Sequence, residues 1–199
     1  MKRVKNNINA YILAGGKSSR MGTDKGLLFL NGKAIIQTII EQLQPAVSKT
    51  TIVSNNADYN KFGVEVIHDL ISGKGPAGGI HAALSHTGSE KIFVVSCDMP
   101  FITTRAIRYI IDQATYSQIT LPLNHKKIEP LFGVYSKKCL PLWQQLVEQG
   151  EIKLQKTVTH FELLKIDVDN NELFNDSLFL NINDKKDLQK ALKLLQHGN

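Results

Sequence analysis

Cations, serines and glycines crowd one loop near the start of the chain. It reads Leu13-Ala14-Gly15-Gly16-Lys17-Ser18-Ser19-Arg20-Met21-Gly22-Thr23-Asp24-Lys25 and follows an apolar segment. Glycines let a backbone approach phosphate oxygens and turn its N–H groups toward them. Arg20 and Lys25 add charge-assisted donors. The loop is not a P-loop: Gly16-Lys17-Ser18 imitates the tail of that motif, but the leading glycine would fall at Tyr11. Nor does it carry the three-glycine spacing of the dinucleotide fingerprint. Two glycines alone would be an ordinary strand-to-helix turn. Two cations and a serine pair in the same loop point to phosphate.

A second group can hold a metal. Ser96-Cys97-Asp98-Met99-Pro100 follows the apolar run Ile92-Phe93-Val94-Val95. An aspartate there suits Mg²⁺, which is held by few carboxylates and completes its shell with substrate phosphates. The competing role is a helix cap, but Pro100 and Phe101 put Asp98 too far ahead of Thr103. Asp69 follows residues 64–67 in the same way. Alone it reads equally well as a turn residue. With Asp98 it offers two carboxylates to one site, opposite the cations of the first loop. That arrangement suits phosphoryl or nucleotidyl transfer, where positioning and charge neutralisation do most of the work. Other groups are weaker. A neighbouring carboxylate disfavours a Cys97 thiolate. The six histidines show no metal-ligand spacing and read mostly as surface or loop residues, with His68 the one beside a candidate site residue. Lys126 and Lys127 read as a solvated turn.

The elements that must position these groups alternate. Residues 8–13, 51–54, 64–67, 92–96, 119–121, 131–135 and 163–168 read as strands. Helices are predicted over 35–43, 80–85, 107–114, 138–149, 153–160 and 187–195, with Pro45 closing the first and Thr103 or Thr104 capping the third. A glycine-rich loop is expected over 73–79, and a polar turn at Asn124-His125. The alternation predicts an α/β fold: a Rossmann-like, doubly wound, mostly parallel sheet with helices on both faces. Ligands on such sheets bind beyond the carboxyl ends of the strands, near a topological switch point. That places the residues after each strand (15–25, 69 and 97–100) at the site.

Composition agrees. The 199 residues are 42% hydrophobic and 21% charged, which fits one globular domain over 1–199, with 1–7 as a flexible tail. No apolar run approaches the ~18 residues of a membrane span. The basic N-terminus is followed by no signal-type apolar region. Two cysteines are too few for a disulfide framework, so a reducing cytoplasm is expected. Lys+Arg at 24 against Asp+Glu at 18 gives a net charge of +6, which suits an anionic partner. No arginine stripe interleaves with aromatics, so a phosphorylated small molecule fits better than nucleic acid.

Several motifs in order resemble one family. Leu13-Ala14-Gly15-Gly16-x-Ser18-x-Arg20-Met21-Gly22-x-Asp24-Lys25 is similar to the signature of the molybdopterin nucleotidyltransferases, and most similar to their guanylyltransferase branch. Leu28-Phe29-Leu30-Asn31-Gly32-Lys33 continues the likeness. So do Asp69…Gly75-Pro76-Ala77-Gly78-Gly79-Ile80, Cys97-Asp98-Met99-Pro100-Phe101, Glu129-Pro130-Leu131-Phe132 and Phe179-Leu180-Asn181-Ile182-Asn183. The likeness spans nearly the whole chain.

This resemblance implies a nucleotide-diphospho-sugar transferase type of fold, GTP as donor, Mg²⁺ as cofactor and molybdopterin or molybdenum-molybdopterin as acceptor. By position, Leu13, Ala14, Gly15, Lys25, Asp69 and Asp98 would belong to the GTP site. Arg20 and Lys25 would meet phosphates, and Asp98 would hold the metal, making Asp98, Lys25 and Arg20 the catalytic set. Asn55 or Asn56 would lie near the base, and Asn181 and Asn183 on the pterin side. The resemblance further implies a cytoplasmic monomer with transient contacts to cofactor-insertion proteins or apo-molybdoenzymes, and neither nucleic acid nor membrane as partner. The family's last motif usually runs Asn-Ile-Asn-Thr-Pro-Glu-Asp, whereas this chain has Asn181-Ile182-Asn183-Asp184-Lys185-Lys186-Asp187. Asp184 is expected to cap the last helix in place of threonine. Related cytidylyltransferases tend to carry alanine at the position of Gly15, so the glycine favours a purine. The rival readings are a cytidylyltransferase or other small-molecule nucleotidyltransferase, and a non-catalytic nucleotide- or RNA-binding module.

Overall fold

The computed structural model describes residues 7–15, 24–175 and 177–197. Arg20, and with it the phosphate-loop expectations for Gly16 to Thr23, lies outside the described residues, as does most of the expected tail.

β1 (Asn9–Leu13) leads, past a 3₁₀ turn at Lys25–Leu27, into a small hairpin of β2 (Phe29–Leu30) and β3 (Lys33–Ala34). The hairpin turns at Asn31-Gly32, both in left-handed conformation (φ 52° and 77°), where such backbone is easiest for asparagine and glycine. Then follow α1 (Ile35–Leu43), β4 (Lys49–Val53), a 3₁₀ helix (Ala57–Phe62), β5 (Glu65–Ile67), α2 (Gly75–His86), β6 (Lys91–Ser96) and α3 (Thr104–Gln113). The chain continues through β7 (Ile119–Asn124), β8 (Lys127–Ile128), β9 (Phe132–Ser136), α4 (Leu140–Glu148), α5 (Leu154–Thr157), β10 (Leu163–Asp167) and α6 (Lys185–His197).

The main sheet runs β10-β7-β9-β6-β1-β4-β5, with β8 paired to β7. β5, β4, β1 and β6 are mutually parallel, as are β7 and β10. β9 is antiparallel to both β6 and β7. From β1 the chain builds outward through β4 to β5, then returns across β1 to place β6 on its other side. The direction of winding therefore reverses between β1 and β6, and the crevice lies beyond their carboxyl ends.

Alternation along the central strands supplies two cores. Ala10 and Ile12 of β1, with Phe93 and Val95 of β6, meet Ile36, Ile39, Ile40, Ile107 and Ile110 of α1 and α3. Tyr11, Leu13, Ile92 and Val94 face the other way, toward Ile80 and Leu84 of α2 and Trp143 and Val147 of α4. Strands covered on both faces read as unbroken apolar runs, as this sequence does. Thr103 caps α3, its hydroxyl accepting from Ala106 N at 3.2 Å.

One expectation is corrected. The glycine-rich stretch before Ile80 is not a loop: α2 begins at Gly75, and Gly78 and Gly79 lie inside it. Glycine allows close approach there. A Cβ on Gly79 would stand 3.2 Å from Leu13 Cδ2, and one on Gly78 3.1 Å from the Ile71 carbonyl oxygen. Only Gly73 and Gly75 at its start adopt left-handed backbone (φ 75° and 54°). The predicted helix over 153–160 is divided into α5 and a 3₁₀ turn at Val158–His160. His81 is buried within α2, whereas His68, His86, His125 and His160 are exposed.

Candidate active site

The crevice at the switch point gathers residues from distant segments. Lys25 leads the 3₁₀ turn beyond β1, and Asp24 caps that turn, accepting from Gly26 N at 3.3 Å. Lys25 Nζ donates to Asp98 Oδ2 at 3.1 Å and to Asn183 Oδ1 at 2.6 Å. Asp98 follows β6, whose last residue pairs with the end of β1, and Cys97 N continues that ladder to the Leu13 carbonyl at 3.1 Å. Side-chain exposures of 25% for Lys25 and 14% for Asp98 keep the pair near water yet sheltered. One ammonium, one carboxylate and one amide thus meet at a point where triphosphate charge can be balanced.

The last motif reaches this point by a defined route. Ile182 N donates to the Asp98 carbonyl at 2.9 Å. Asp184 caps α6 as expected, accepting from the N–H groups of Lys186 and Asp187 at 2.8 and 3.0 Å. Asp187 Oδ2 in turn accepts from Asp184 N at 3.3 Å, the reciprocal half of the cap, and from Asn183 N at 2.8 Å, which ties the Asn183 backbone to the start of α6. Asn181 lies on the same segment, its carbonyl accepting from Asn183 Nδ2 at 3.5 Å.

On the other flank, Asp69 follows β5 and donates its backbone N–H to Asn55 Oδ1 at 3.2 Å. His68 Nδ1 lies 3.1 Å from the Ser54 carbonyl oxygen. The segments after β4 and β5 are therefore stitched together. Burial holds the Asp69 carboxyl above its usual range, with His68 opposing. Leu13 and Ala14 are buried, while Gly15 is exposed, and no atom of the described residues lies within 4 Å of where its Cβ would be. Cys97 is buried; burial, then the charge of Asp98, pushes its thiol far up, which disfavours a nucleophilic thiolate.

The structure thus joins Lys25, Asp98 and Asn183 directly, and Asn55 with Asp69. Asp69 belongs to the opposite flank, with β4 and β1 between it and Asp98 in strand order. Sequence reasoning missed Tyr59, whose hydroxyl donates to Asp24 Oδ1. The local signal available was Asp24, a capping residue directly ahead of Lys25; nothing near Tyr59 marks it.

Gly26 is the tightest point of the site. A Cβ there would stand 2.6 Å from Tyr59 Oη and 3.2 Å from Cys97 Cβ. Gly26→Ala is expected to cost ~1–3 kcal/mol by overpacking and to lower turnover, because the Lys25 turn must shift. Denaturant melts and steady-state rates on the same preparation would check both.

A doubly wound α/β sheet with a cation–carboxylate pair at its switch point is a site suited to a nucleotide's phosphates, and the class it belongs to, the nucleotidyltransferases, follows from the family match. The chain matches the family model of the MobA-like NTP transferase domain over residues 10–162, and it belongs to that family. It is 34% identical over 182 residues to a Flavobacterium johnsoniae protein named "Probable molybdenum cofactor guanylyltransferase", covering 91% of this chain and 94% of the relative. A Carboxydothermus hydrogenoformans protein of the same name is 33% identical over 194 residues, covering 94% and 96%. Among solved structures, molybdopterin-guanine dinucleotide biosynthesis protein A from Archaeoglobus fulgidus superimposes with a TM-score of 0.83 at 25% identity, covering 96% of this chain and 100% of that one.

Proposed function

We propose that this chain transfers GMP from GTP to the terminal phosphate of molybdopterin. An acceptor phosphate oxygen attacks the α-phosphorus, the bond to the β-phosphate bridging oxygen breaks, and pyrophosphate leaves with that electron pair. The acceptor is already ionised, so no side chain need serve as a nucleophile. The observation that carries the reading is the meeting of three family motifs at one ammonium, Lys25, between Asp98 and Asn183. Lys25 would neutralise the departing pyrophosphate, with Arg20 as its partner. The segments carrying Asn55 and Asp69 would face the base, and Asn181 and Asn183 the acceptor.

The donor set fits Mg²⁺ brought with the nucleotide. Asp98 offers a hard carboxylate oxygen at the crevice. Among the described residues, no group of three or more His, Cys, Asp or Glu could hold an ion unaided, so phosphate oxygens would complete the shell. When bound, the ion would offset charge on the triphosphate. Guanine is favoured over cytosine by glycine at position 15, where related cytidylyltransferases tend to carry alanine. No helix among the described residues is long and apolar enough to cross a membrane.

The test is pyrophosphate release with GTP, CTP and ATP in turn, with molybdopterin and Mg²⁺, alongside thermal shift. GTP at about 100 times its dissociation constant should stabilise the fold by ~2.7 kcal/mol. Release with CTP in preference to GTP would select the cytidylyltransferase reading. Binding without release from any nucleotide would leave only a binding module.

A further inference from the structure

Lys25 reaches Asp98 and Asn183 only while its turn is held still, and one of the groups holding it comes from the opposite flank. Tyr59 lies in the 3₁₀ helix Ala57–Phe62 and is fully buried, at 0% exposure. That helix starts from Asn56, whose Oδ1 accepts from Asp58 N at 3.0 Å. The residue before it, Asn55, accepts from the backbone of Asp69. From this segment the Tyr59 hydroxyl donates to Asp24 Oδ1, the same oxygen that accepts from Gly26 N. The ring packs against Phe62 with centroids 6.2 Å apart, a contact phenylalanine would make equally well. The hydroxyl donates to Asp24 and also lies beside the buried Cys97 thiol, and Asp24 directly precedes Lys25.

We propose that Tyr59 is a positioning residue of the transfer reaction. Through Asp24 it fixes the turn that carries Lys25, and it ties that turn to the segment bearing Asn55 and Asp69. One hydroxyl thereby links the segments that follow the neighbouring strands β1 and β4, joining the flank of Asn55 and Asp69 to the turn of Lys25. The inference rests on the function proposed above and adds to it a residue that touches neither substrate. Misplacement of a reacting group by about an ångström can cost on the order of a hundredfold, so a bond that sets the turn has leverage on rate.

The experiment is a cycle of Tyr59→Phe, Lys25→Ala and the double variant, read by GTP-dependent pyrophosphate release. Tyr59→Phe should lower kcat by ~10–100-fold and leave KM for GTP within about threefold, with a near-native circular dichroism spectrum. In the Lys25→Ala background the same change should cost almost nothing, because the route through Lys25 is already gone. A second readout needs no turnover: the rate at which an amine-modifying reagent labels Lys25, followed by mass spectrometry, should rise in Tyr59→Phe as the ammonium leaves Asp98. Equal losses in the two backgrounds would overturn the inference, as would an unchanged kcat or an unchanged Lys25 labelling rate. Should the native chain release no pyrophosphate, the proposed function fails, while the labelling experiment still decides whether Tyr59 positions Lys25.

Discussion

Replacing Asp98 with alanine is expected to lower turnover by at least ~100-fold while the chain stays folded. Loss of one preorganised electrostatic group from an active site commonly costs that much. Here the cost has two parts. Asp98 presents the carboxylate suited to a nucleotide-borne cation, and it anchors Lys25, which would otherwise keep Asn183 alone. The fold has little stake in the carboxylate: the bond that seats the last motif uses the Asp98 backbone carbonyl and survives the change. Asp98→Asn separates charge from shape, since an amide oxygen can still accept from Lys25. A loss with asparagine close to that with alanine would locate the effect in the negative charge. Steady-state pyrophosphate release, with circular dichroism on the same samples, is the measurement; turnover near the native value in either variant would refute the role given to Asp98.

Trp143→Ala should have the largest effect on stability, at ~3–5 kcal/mol. Trp143 is wholly buried on the α2–α4 face of the sheet, far in sequence from the site. Its indole N–H donates to the Ala77 carbonyl at 3.0 Å, fastening α4 to α2. The ring stacks on Phe161 at 5.5 Å between centroids and meets Tyr135 edge-on at 5.6 Å. Alanine would open a cavity among these rings and deprive the Ala77 carbonyl of its indole donor. For a chain of this size a kilocalorie per mole corresponds to roughly 2–4 °C, so the midpoint should fall by about 6–20 °C. Equilibrium denaturation is the check. Because α2 packs on β1 through Gly79 against Leu13, weakened GTP binding near the melting range should accompany the loss. A destabilisation under about 1 kcal/mol would mean that the α2–α4 layer repacks without the ring.

Much of the fold was legible because apolar periodicity is a local property. The runs at β1 and β6 and the 3.6-residue repeats of α1 and α3 each carry their own burial pattern. The Asp184 cap was legible too, since capping is settled within a few residues. The start of α2 was misread for the opposite reason. Glycines signal a turn by default, and only their neighbours in the fold, Leu13 of β1 and the Ile71 carbonyl of the preceding turn, show the room that Gly79 and Gly78 make. The antiparallel insertion of β9 between β6 and β7 was invisible for the same reason, because strand direction leaves little trace within a five-residue run.

The sequence by itself determined the kinds of groups at the site: a lysine after the first strand, an acid after the β6 segment, asparagines near the end, and the order in which the chain delivers them. Only the tertiary structure decided which of them touch. Lys25 and Asn183 stand 158 positions apart, and Tyr59 reaches Asp24 across 35. Residues beyond strand ends become neighbours through the order of strands in the sheet, and that order is set by the burial of the whole core rather than by any pattern a few residues long.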